Sequence, residues 1–527
     1  MKQELFYNGI FHPMTEEGKT FSAMTVCSGR ISGTFEEKPE GSYFRETDLK
    51  GAHVYPCLID GHVHMLYTIA VLAKGFDVCS VTAEGVKPDR LEEIGSKIRE
   101  YCRGRGRNEI IAANSYVLSA VTEKRMPTKG ELDEWAGGRP IVVYNIDGHS
   151  TALSTAMLKL IGINPEGHSG ILTGEENDRN QGKITDLIGA QMGLSSLAKG
   201  IAALHNSCAE FGIGMIGALE GNGDSPKDAS TKLIFRLARH FGLPVRFYLQ
   251  YMDIERVLPF EKHLKHRRMG GCGDWEMDGA VGAHSAAFFS PYKDSGEKAS
   301  CYYEPEFVKK KVSEANKRGF QVSSHAIGEA AIDMLLEAFN AQDGSVFNRI
   351  EHMEFINEAQ LQKLEGSKYA VFMQPGYAWI DKRYLHSYES FLPEKIEGNL
   401  KLKSIIERGM TVCASTDSPV QALDPYLQML GMVDFYNSEE SVSNYRAFEA
   451  YTLNPAKAMN ELEERGTLEE GKAADFFVAE EDFFSLPPAK IPSFRPVRTY
   501  YGGKPYKKKK GSMFELLIML IRRGHSV

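Results

Sequence analysis

Two histidines separated by one residue follow an apolar segment early in the chain. The segment is His53–Ile59, and His62 and His64 come after it in the run Asp-Gly-His-Val-His. On an extended backbone, residues two apart point in the same direction, so both imidazoles can face one point. Imidazole is a common protein ligand for zinc and similar metals. The pattern therefore indicates a metal site; the alternative is a pair of surface histidines in a loop.

Three further segments place a metal-type ligand at the end of an apolar run. His325 ends Phe-Gln-Val-Ser-Ser-His, His352 ends Asn-Arg-Ile-Glu-His, and Asp417 follows Thr-Val-Cys-Ala-Ser-Thr. Taken singly, each histidine could be a buried core residue and the aspartate a helix N-cap. Together they favour one shared metal centre, because the C-terminal rim of a parallel barrel gathers its strand ends in space.

A carboxylate beside a bound divalent ion suits hydrolysis. Such an ion lowers the pKa of a coordinated water molecule to roughly 7. We expect Asp417 to take a proton from this water as the water attacks a carbonyl-type carbon, and to pass that proton to the leaving nitrogen. A nearby imidazole would help to stabilise the developing oxyanion. The candidate is His149, in Asp147-Gly-His149, although it could equally be a loop histidine in a turn.

Substrate-binding residues are expected on two segments. Asp147 lies beside His149, and Gln374, Tyr377 and Trp379 follow the seventh predicted strand. Asp147, the glutamine and the tyrosine are the candidate contacts to substrate. The tyrosine and the tryptophan could equally be packing residues beneath a lid.

The elements that would carry these residues alternate between strands and helices. Eight apolar runs are typical of buried strands, and helical patterns fill most of the gaps between them. This alternation favours a parallel α/β fold, and eight repeats fit a (β/α)8 TIM barrel. The predicted strands are His53–Ile59, Ile213–Leu219, Val245–Gln250, Trp275–Met277, Gln321–Ser324, Arg349–Glu351, Ala370–Met373 and Thr411–Ser415.

Both ends of the chain are rich in short strands with hairpin turns such as Asn8-Gly9. We therefore expect a small β-sandwich domain built from residues 1–52 and 462–510, attached to a barrel domain of residues 53–461. About 150 residues separate the first two predicted barrel strands, far more than an ordinary link. Residues 80–200 are accordingly predicted as an insertion over the barrel mouth.

The C-terminal tail, residues 511–527, follows the basic run Lys507–Lys510 and contains the apolar segment Met513–Ile521. This segment is too short to span a membrane. It could lie on a membrane surface. The favoured interpretation is a terminal helix packed on the protein or on a second subunit.

Composition excludes several classes of protein. The 527 residues are 42% hydrophobic and 25% charged, which suits a large catalytic domain with additions and argues against disorder. The net charge of -8 gives no indication of nucleic-acid binding. The eight cysteines are scattered without a Cys-x-x-Cys pair, so we expect buried, reduced thiols in a cytoplasmic protein. No signal peptide or membrane span is expected, the partner is a small-molecule substrate, and a homo-oligomer is left open.

The order of ligands resembles the amidohydrolase superfamily, with His-x-His on strand one, histidines on strands five and six, and aspartate on strand eight. Wider motifs are similar to amidohydrolase family 3, the YtcJ-like branch, and the resemblance runs from about Tyr7 to Gly503. It implies a metal-dependent barrel, a β-sandwich from both ends and hydrolysis at C–N bonds of amides or related groups. The motifs are Asp147-Gly-His149, Asp278-Gly-Ala-Val-Gly, His325-Ala-Ile-Gly-Glu, Arg349-Ile-Glu-His352, Tyr451-Thr-Leu-Asn-Pro-Ala456 and Gly466-Thr-Leu-Glu-Glu-Gly-Lys-Ala-Ala-Asp475.

One position departs from the family pattern. Many relatives carry on strand four a lysine whose carboxylated side chain can bridge two metals, but Gly273–Asp278 contains no lysine. Glu276 is the candidate bridge, since it offers two anionic oxygens, and Asp274 is its rival. If neither bridges, the site holds one metal. His284 and Glu329 replace an arginine and an aspartate that are usual in the family, so its substrate preferences are not carried over.

The resemblance and the residues together predict a hydrolase of an N-substituted amide, a formamide or a cyclic amide. A deaminase with the same ligands is the alternative, and a non-catalytic binding or regulatory protein with a relic site is a third reading. One or two divalent ions are expected, zinc first, with iron or manganese as other candidates. Their predicted ligands are His62, His64, Glu276, His325, His352 and Asp417.

Overall fold

The computed structural model describes residues 2–82, 85–146, 148–221 and 228–527. At its centre, eight parallel strands follow one another in chain order in a single sheet. A parallel bridge joins Val63 to Ser418, and the backbone N–H of Asp417 donates to the carbonyl of His62 at 2.9 Å. The sheet is thereby nearly closed into the predicted barrel. Its strands are β1 (Leu58–Val63), β2 (Ile213–Glu220), β3 (Val245–Leu249), β4 (Arg268–Glu276), β5 (Gln321–Ala326), β6 (Asn348–His352), β7 (Tyr369–Met373) and β8 (Thr411–Ala414).

Amphipathic helices cover the outside of the barrel. Pro305–Lys317, for example, buries Val308, Val312 and Ala315 at helical spacing, and most of its other side chains are polar. The helices that connect or follow the barrel strands are Met65–Lys74, Leu194–Phe211, Ala229–Ala238, Ile254–Val257, Pro305–Lys317, Glu329–Asn340, Glu358–Lys363, Pro375–Ile380, Ser387–Phe391, Lys403–Glu407, Pro425–Val433, Asn444–Glu449 and Leu453–Ala458.

The fourth strand differs most from its predicted limits. The sequence predicts Trp275–Met277, whereas β4 is nine residues long and begins at Arg268. Glycines interrupt its apolar pattern, and they are needed where two backbones approach closely. A Cβ atom at Gly270 would lie 2.0 Å from the carbonyl oxygen of Ser323 on β5. A sequence that is typical of a turn is therefore part of the barrel wall.

Strands from both ends of the chain form a second, mixed sheet of eight strands. His53–Pro56 pairs antiparallel with Phe476–Ala479 in this sheet. The prediction that His53–Pro56 starts the first barrel strand is therefore wrong, and β1 begins at Leu58. The additional β structure expected from the two termini is confirmed. Its strands are Gln3–Phe11, Phe21–Cys27, Arg30–Phe35, Arg45–Asp48, His53–Pro56, Phe476–Ala479, Arg498–Tyr501 and Lys504–Pro505.

Between β1 and β2 the chain forms a five-stranded sheet with its own apolar core, in which Ile94, Trp135 and Val143 are buried. Tyr144 of this sheet packs against Tyr67, which follows β1, with ring centroids 5.2 Å apart. The insertion therefore contacts the end of the barrel where the predicted ligands lie. Its strands are Phe76–Asp77, Ile111–Tyr116, Ile141–Asn145, Ser150–Leu153 and Ile171–Thr173, with a hairpin of Ser80–Thr82 and Gly85–Lys87; its helices are Leu91–Cys102, Lys129–Trp135, Thr155–Leu160 and Gly174–Ala190.

The C-terminal helix Met513–Ile521 is covered on one side. Leu516 is buried against Leu194–Phe211, while the side chain of Ile521 stays exposed. In the described part of the chain, no single helix has the length and apolar composition needed to cross a membrane. Gly174–Ala190 and Leu194–Phe211 reach these values only as a pair, which is bent by 113°.

Candidate metal centre

His62 and His64 turn the same ring atom toward one carboxylate. Their Nε2 atoms each lie 3.1 Å from Oδ1 of Asp417. Their Nδ1 atoms have partners on the opposite side of each ring. Nδ1 of His62 lies 2.7 Å from Oε2 of Glu351, and Nδ1 of His64 lies 3.2 Å from the carbonyl oxygen of Leu219. A hydrogen bond to one ring nitrogen sets which nitrogen remains as a metal ligand. Both rings are therefore oriented to bind a metal through Nε2.

The gap between Asp417 and these two histidines needs a positive charge. When each ring is neutral and carries its proton on Nδ1, the lone pairs of the two Nε2 atoms and of Oδ1 of Asp417 face one another across this gap. Burial lowers the pKa of His62, but Asp417 and Cys272 outweigh it and hold this pKa well above its usual value, so the surroundings favour a proton on this ring. A metal ion can replace such a proton, because metal ligands must be deprotonated. The donor set thus fits a divalent ion.

His325 and His352 form the other half of the centre, with ring centroids 4.4 Å apart. Nδ1 of His352 lies 2.6 Å from Oε1 of Gln374, and Nε2 of His325 lies 3.3 Å from the carbonyl of Gly279. The remaining ring nitrogens, Nε2 of His352 and Nδ1 of His325, are buried and find no hydrogen-bond partner among the described residues. Burial lowers the pKa of His352 to about 4, and burial together with His352 holds the pKa of His325 well below its usual value. Neutral imidazoles are the form that binds metals.

Two of the predicted ligands have an uncommon backbone conformation. His352 has φ of 68° and Asp417 has φ of 56°. Left-handed φ values in residues other than glycine cost about 1–3 kcal/mol and cluster at functional sites. The surrounding structure therefore holds both residues in place against this cost.

Glu351 contacts the candidate ligand His62 and is not among the residues that the sequence predicts for the site. It lies inside the barrel, where Nη2 of Arg349 donates to it at 2.8 Å and Ser323 donates through Oγ. Burial raises the pKa of Glu351, but Arg349 and His62 outweigh it and lower this pKa to about 2. The ionised carboxylate of Glu351 therefore contacts His62 on the side away from Asp417. The Arg-Ile-Glu-His motif places this glutamate directly before the predicted ligand His352.

Cys272 on β4 is the second residue that was missed, because it was expected only to be a buried, reduced thiol. Its Sγ lies 3.5 Å from Nε2 of His62. Ligand atoms of His62, His64 and Cys272 lie within 4.8 Å of one another, and so do those of Cys272, His325 and His352. Cys272 therefore belongs to both halves of the centre.

Glu276, the predicted bridge, lies in a different cluster. Its ligand atoms are grouped with those of His149 and Asp178 from the insertion. Burial and Asp178 raise the pKa of Glu276 to about 8. The rival, Asp274, accepts the backbone N–H of Met252 at 3.2 Å. The geometry thus groups Cys272, and neither carboxylate, with the four histidines.

The pairing of β4 with β5 explains this difference. Gly271 pairs with Ser324, but the next pair is Glu276 with His325, so residues 272–275 form a bulge. Cys272 directly follows the last regular pair, where its side chain reaches the ligands. The prediction for Glu276 assumed an unbroken strand in which alternate residues share a face.

His149 lies at the edge of the centre, with its ring centroid 5.3 Å from that of His325. Nδ1 of His149 lies 3.1 Å from Oδ1 of Asp178, whose other oxygen accepts a hydrogen bond from Tyr302 at 2.7 Å. Asp147, a predicted substrate contact, lies outside the described residues. Trp379 donates to Asp434 at 3.1 Å.

Two cavities meet at the centre, and His149, His352 and Asp417 line both. The first, of about 540 Å3, also contains Tyr377 and has an apolar wall that includes Leu118, Met373, Ala378 and Phe391. The second, of about 530 Å3, has acidic residues in its wall, namely Glu175, Asp178, Glu220, Asp274 and Glu276. A substrate bound across the metal centre would therefore have two chemically different ends.

Comparison with known proteins identifies the family. The model of the amidohydrolase family matches residues 45–506. YtcJ of Bacillus subtilis (strain 168) is 22% identical over 532 residues, which cover 95% of this chain and 98% of YtcJ. The N-substituted formamide deformylase of Arthrobacter pascens is 23% identical over 551 residues, covering 97% of this chain and 99% of the deformylase. The solved structure of an uncharacterized metal-dependent hydrolase from Pyrococcus horikoshii OT3 superposes with a TM-score of 0.71 at 20% identity, covering 93% of this chain and 99% of that one. The family match extends over most of the sequence, and the chain therefore belongs to the amidohydrolase family.

Proposed function

We propose that this protein is a metal-dependent hydrolase that cleaves the C–N bond of an amide-type small molecule, such as an N-substituted amide, a formamide or a cyclic amide. The observation that carries the proposal is the set of acceptor atoms, most of them buried, that converge at the barrel mouth. Ring nitrogens of His62, His64, His325 and His352 and an oxygen of Asp417 would hold the metal. Zinc is the first candidate, and iron or manganese would also accept these ligands.

The bound ion would lower the pKa of a water molecule to roughly 7 and polarise the substrate carbonyl. Burial raises the pKa of Asp417, but His62 and His64 outweigh it and hold this pKa well below its usual value. The carboxylate is therefore ionised at neutral pH and can accept the proton of the attacking water. It then donates this proton to the leaving nitrogen, so that water is added and an acid and an amine are released.

His149 is proposed to hydrogen-bond the substrate oxygen as negative charge develops on it. It borders both cavities, and Asp178 fixes its orientation through Nδ1. Gln374 orients His352, and Tyr377 lines the apolar cavity. The apolar wall suits an apolar substituent at one end of the substrate, and the name of the Arthrobacter pascens relative supports a formamide as the first compound to test.

Metal analysis and turnover of Asp417→Asn test this proposal. We expect purified protein to contain stoichiometric divalent metal and to hydrolyse a member of a panel of N-substituted amides and formamides. Asp417→Asn should lower kcat by at least about 100-fold while the metal stays bound, because the proton acceptor is lost. Asp343→Asn, at an exposed position, is the matched control.

Full turnover by Asp417→Asn would contradict the assigned role. Release of ammonia from a purine- or pyrimidine-type compound would instead identify a deaminase. Stoichiometric metal without hydrolysis of any panel member would favour a binding or regulatory protein.

A further inference from the structure

We propose that Cys272 is a metal ligand whose thiolate bridges two divalent ions, one held by His62 and His64 and the other by His325 and His352. The inference rests on the metal site of the proposed function and not on the reaction. It assigns to β4 a sulfur ligand in place of the carboxylate that the sequence predicts at Glu276.

The distances around the thiol fit a shared ligand. Two ligands of one tetrahedral zinc ion lie roughly 3.3–3.8 Å apart, given metal–ligand bonds of about 2.0–2.3 Å. Sγ of Cys272 is 3.5 Å from Nε2 of His62, which lies in this range. The ligand atom of Cys272 is also within 4.8 Å of those of His64, and within 4.8 Å of those of His325 and His352. One sulfur atom therefore lies near both pairs of histidines, within 4.8 Å of a ligand nitrogen of each ring.

Two sets of histidine nitrogens remain to be filled, which points to two ions. Nε2 atoms of His62 and His64 face Asp417, while Nδ1 of His325 and Nε2 of His352 are buried without a hydrogen-bond partner among the described residues. The two sets adjoin, since ligand atoms of His62, His352 and Asp417 lie within 4.8 Å of one another. Paired metals in hydrolytic enzymes lie about 3.5–4 Å apart. A thiolate with bonds of about 2.3 Å to each ion spans this separation.

The backbone of β4 is arranged so that the thiol can reach the centre. Gly271 and Gly273 flank Cys272 with φ of 117° and 64°. A Cβ atom at Gly271 would lie 2.6 Å from the side chain of Leu219, so this position accepts only glycine without a shift. Bulges re-aim a side chain and are common beside active sites. The glycines and the bulge at 272–275 together direct one buried cysteine to the histidines.

Zinc-edge X-ray absorption of the zinc-loaded wild-type protein tests the inference without any substitution. We expect a sulfur neighbour at about 2.3 Å, in addition to nitrogen and oxygen neighbours. A spectrum that contains only nitrogen and oxygen neighbours would overturn the proposal. This measurement does not depend on whether a variant folds.

Cobalt substitution tests which residue supplies the sulfur. The wild-type protein loaded with two equivalents of cobalt(II) should show a thiolate-to-cobalt charge-transfer band in the near ultraviolet. Cys272→Ala should lose the band and bind the second equivalent at least tenfold more weakly. Cys413→Ala removes another buried barrel cysteine, and Glu276→Gln removes the rival bridge; both should keep the band.

Persistence of the band in Cys272→Ala, or its loss in Glu276→Gln alone, would assign the bridge elsewhere. The result is independent of the proposed function. If the protein shows the band but hydrolyses no panel member, the thiolate ligand is supported and the proposed reaction is wrong. If it hydrolyses a substrate but shows no sulfur neighbour, the reaction is supported and the thiolate ligand is wrong.

Discussion

Glu351 shows how a buried charge can act on the metal ligand His62 through the ring nitrogen that does not face the metal. It contacts Nδ1 of His62 at 2.7 Å, and Arg349 neutralises it from the other side. Partners of this kind raise the basicity of a histidine ligand and fix its ring. Glu351 is therefore a positioning residue, since it acts on the metal only through His62.

Glu351→Gln tests this role, because glutamine keeps the shape and removes the charge. We expect the affinity for the first metal equivalent to fall roughly 10–100-fold, the usual effect of losing such a partner. Competition with a chromophoric chelator would measure this affinity. Glu358→Gln, on an exposed helix position, is the control. Unchanged metal affinity in a folded Glu351→Gln protein would show that the contact is only structural.

At the scale of the elements, site residues that follow a strand were easier to predict than Cys272, which lies within β4. His62, His325, His352 and Asp417 could be found because each follows a short apolar run, and this signal is local in sequence. Cys272 could not, because its place depends on how β4 and β5 pair, which no local pattern records. Glu351 lies in Arg349–Glu351, which the sequence predicts as a buried strand, so its burial was predictable; its contact with His62 depends on how β6 and β1 are placed in the barrel, which no local pattern records.

Gly271→Ala tests the importance of the bulge. The added methyl group would meet the side chain of Leu219. The alanine would also have to adopt the φ of 117° that Gly271 has, which alanine rarely takes. We expect a loss of about 1–3 kcal/mol in stability, visible as a lower midpoint of urea unfolding. If the bulge positions Cys272, the cobalt charge-transfer band should weaken as well.

Gly130→Ala is the matched control for Gly271→Ala, because nothing lies within 4 Å of the added Cβ atom at that helical position. We expect it to leave the cobalt spectrum unchanged and to keep or slightly raise the unfolding midpoint, because alanine favours a helix more than glycine does. A Gly271→Ala protein that behaves like this control would show that the β4 backbone tolerates a side chain there.

At the scale of the whole molecule, a buried ion-pair network joins distant segments. Glu461 is fully buried, with its Oε2 2.9 Å from Nη2 of Arg246 on β3 and also 2.9 Å from Nζ of Lys265. Burial raises the pKa of Glu461, but Arg246 and Lys265 outweigh it and lower this pKa to about 2 from an ordinary 4.5. The network therefore stabilises the fold while this carboxyl is ionised.

The pH dependence follows from that direction. Because the folded pKa of Glu461 is depressed, its contribution is complete above about pH 4.5 and is lost as the pH falls toward about 2. Glu461→Gln should cost about 3–5 kcal/mol at pH 7, since it leaves buried positive charges without a partner. The difference from wild type in the urea midpoint should shrink near pH 3. Glu463→Gln, which is exposed, should show no such difference at either pH.

The barrel wall closes where Asp417 donates its backbone N–H to His62, and the side chains of these same two residues face the proposed metal. An ion held there would cross-link the first and last strands of the barrel, β1 and β8, which come from widely separated parts of the chain. Metal binding would then be a late step in folding as well as a requirement for the reaction, because β1 and β8 must both be in place before their side chains can bind the ion.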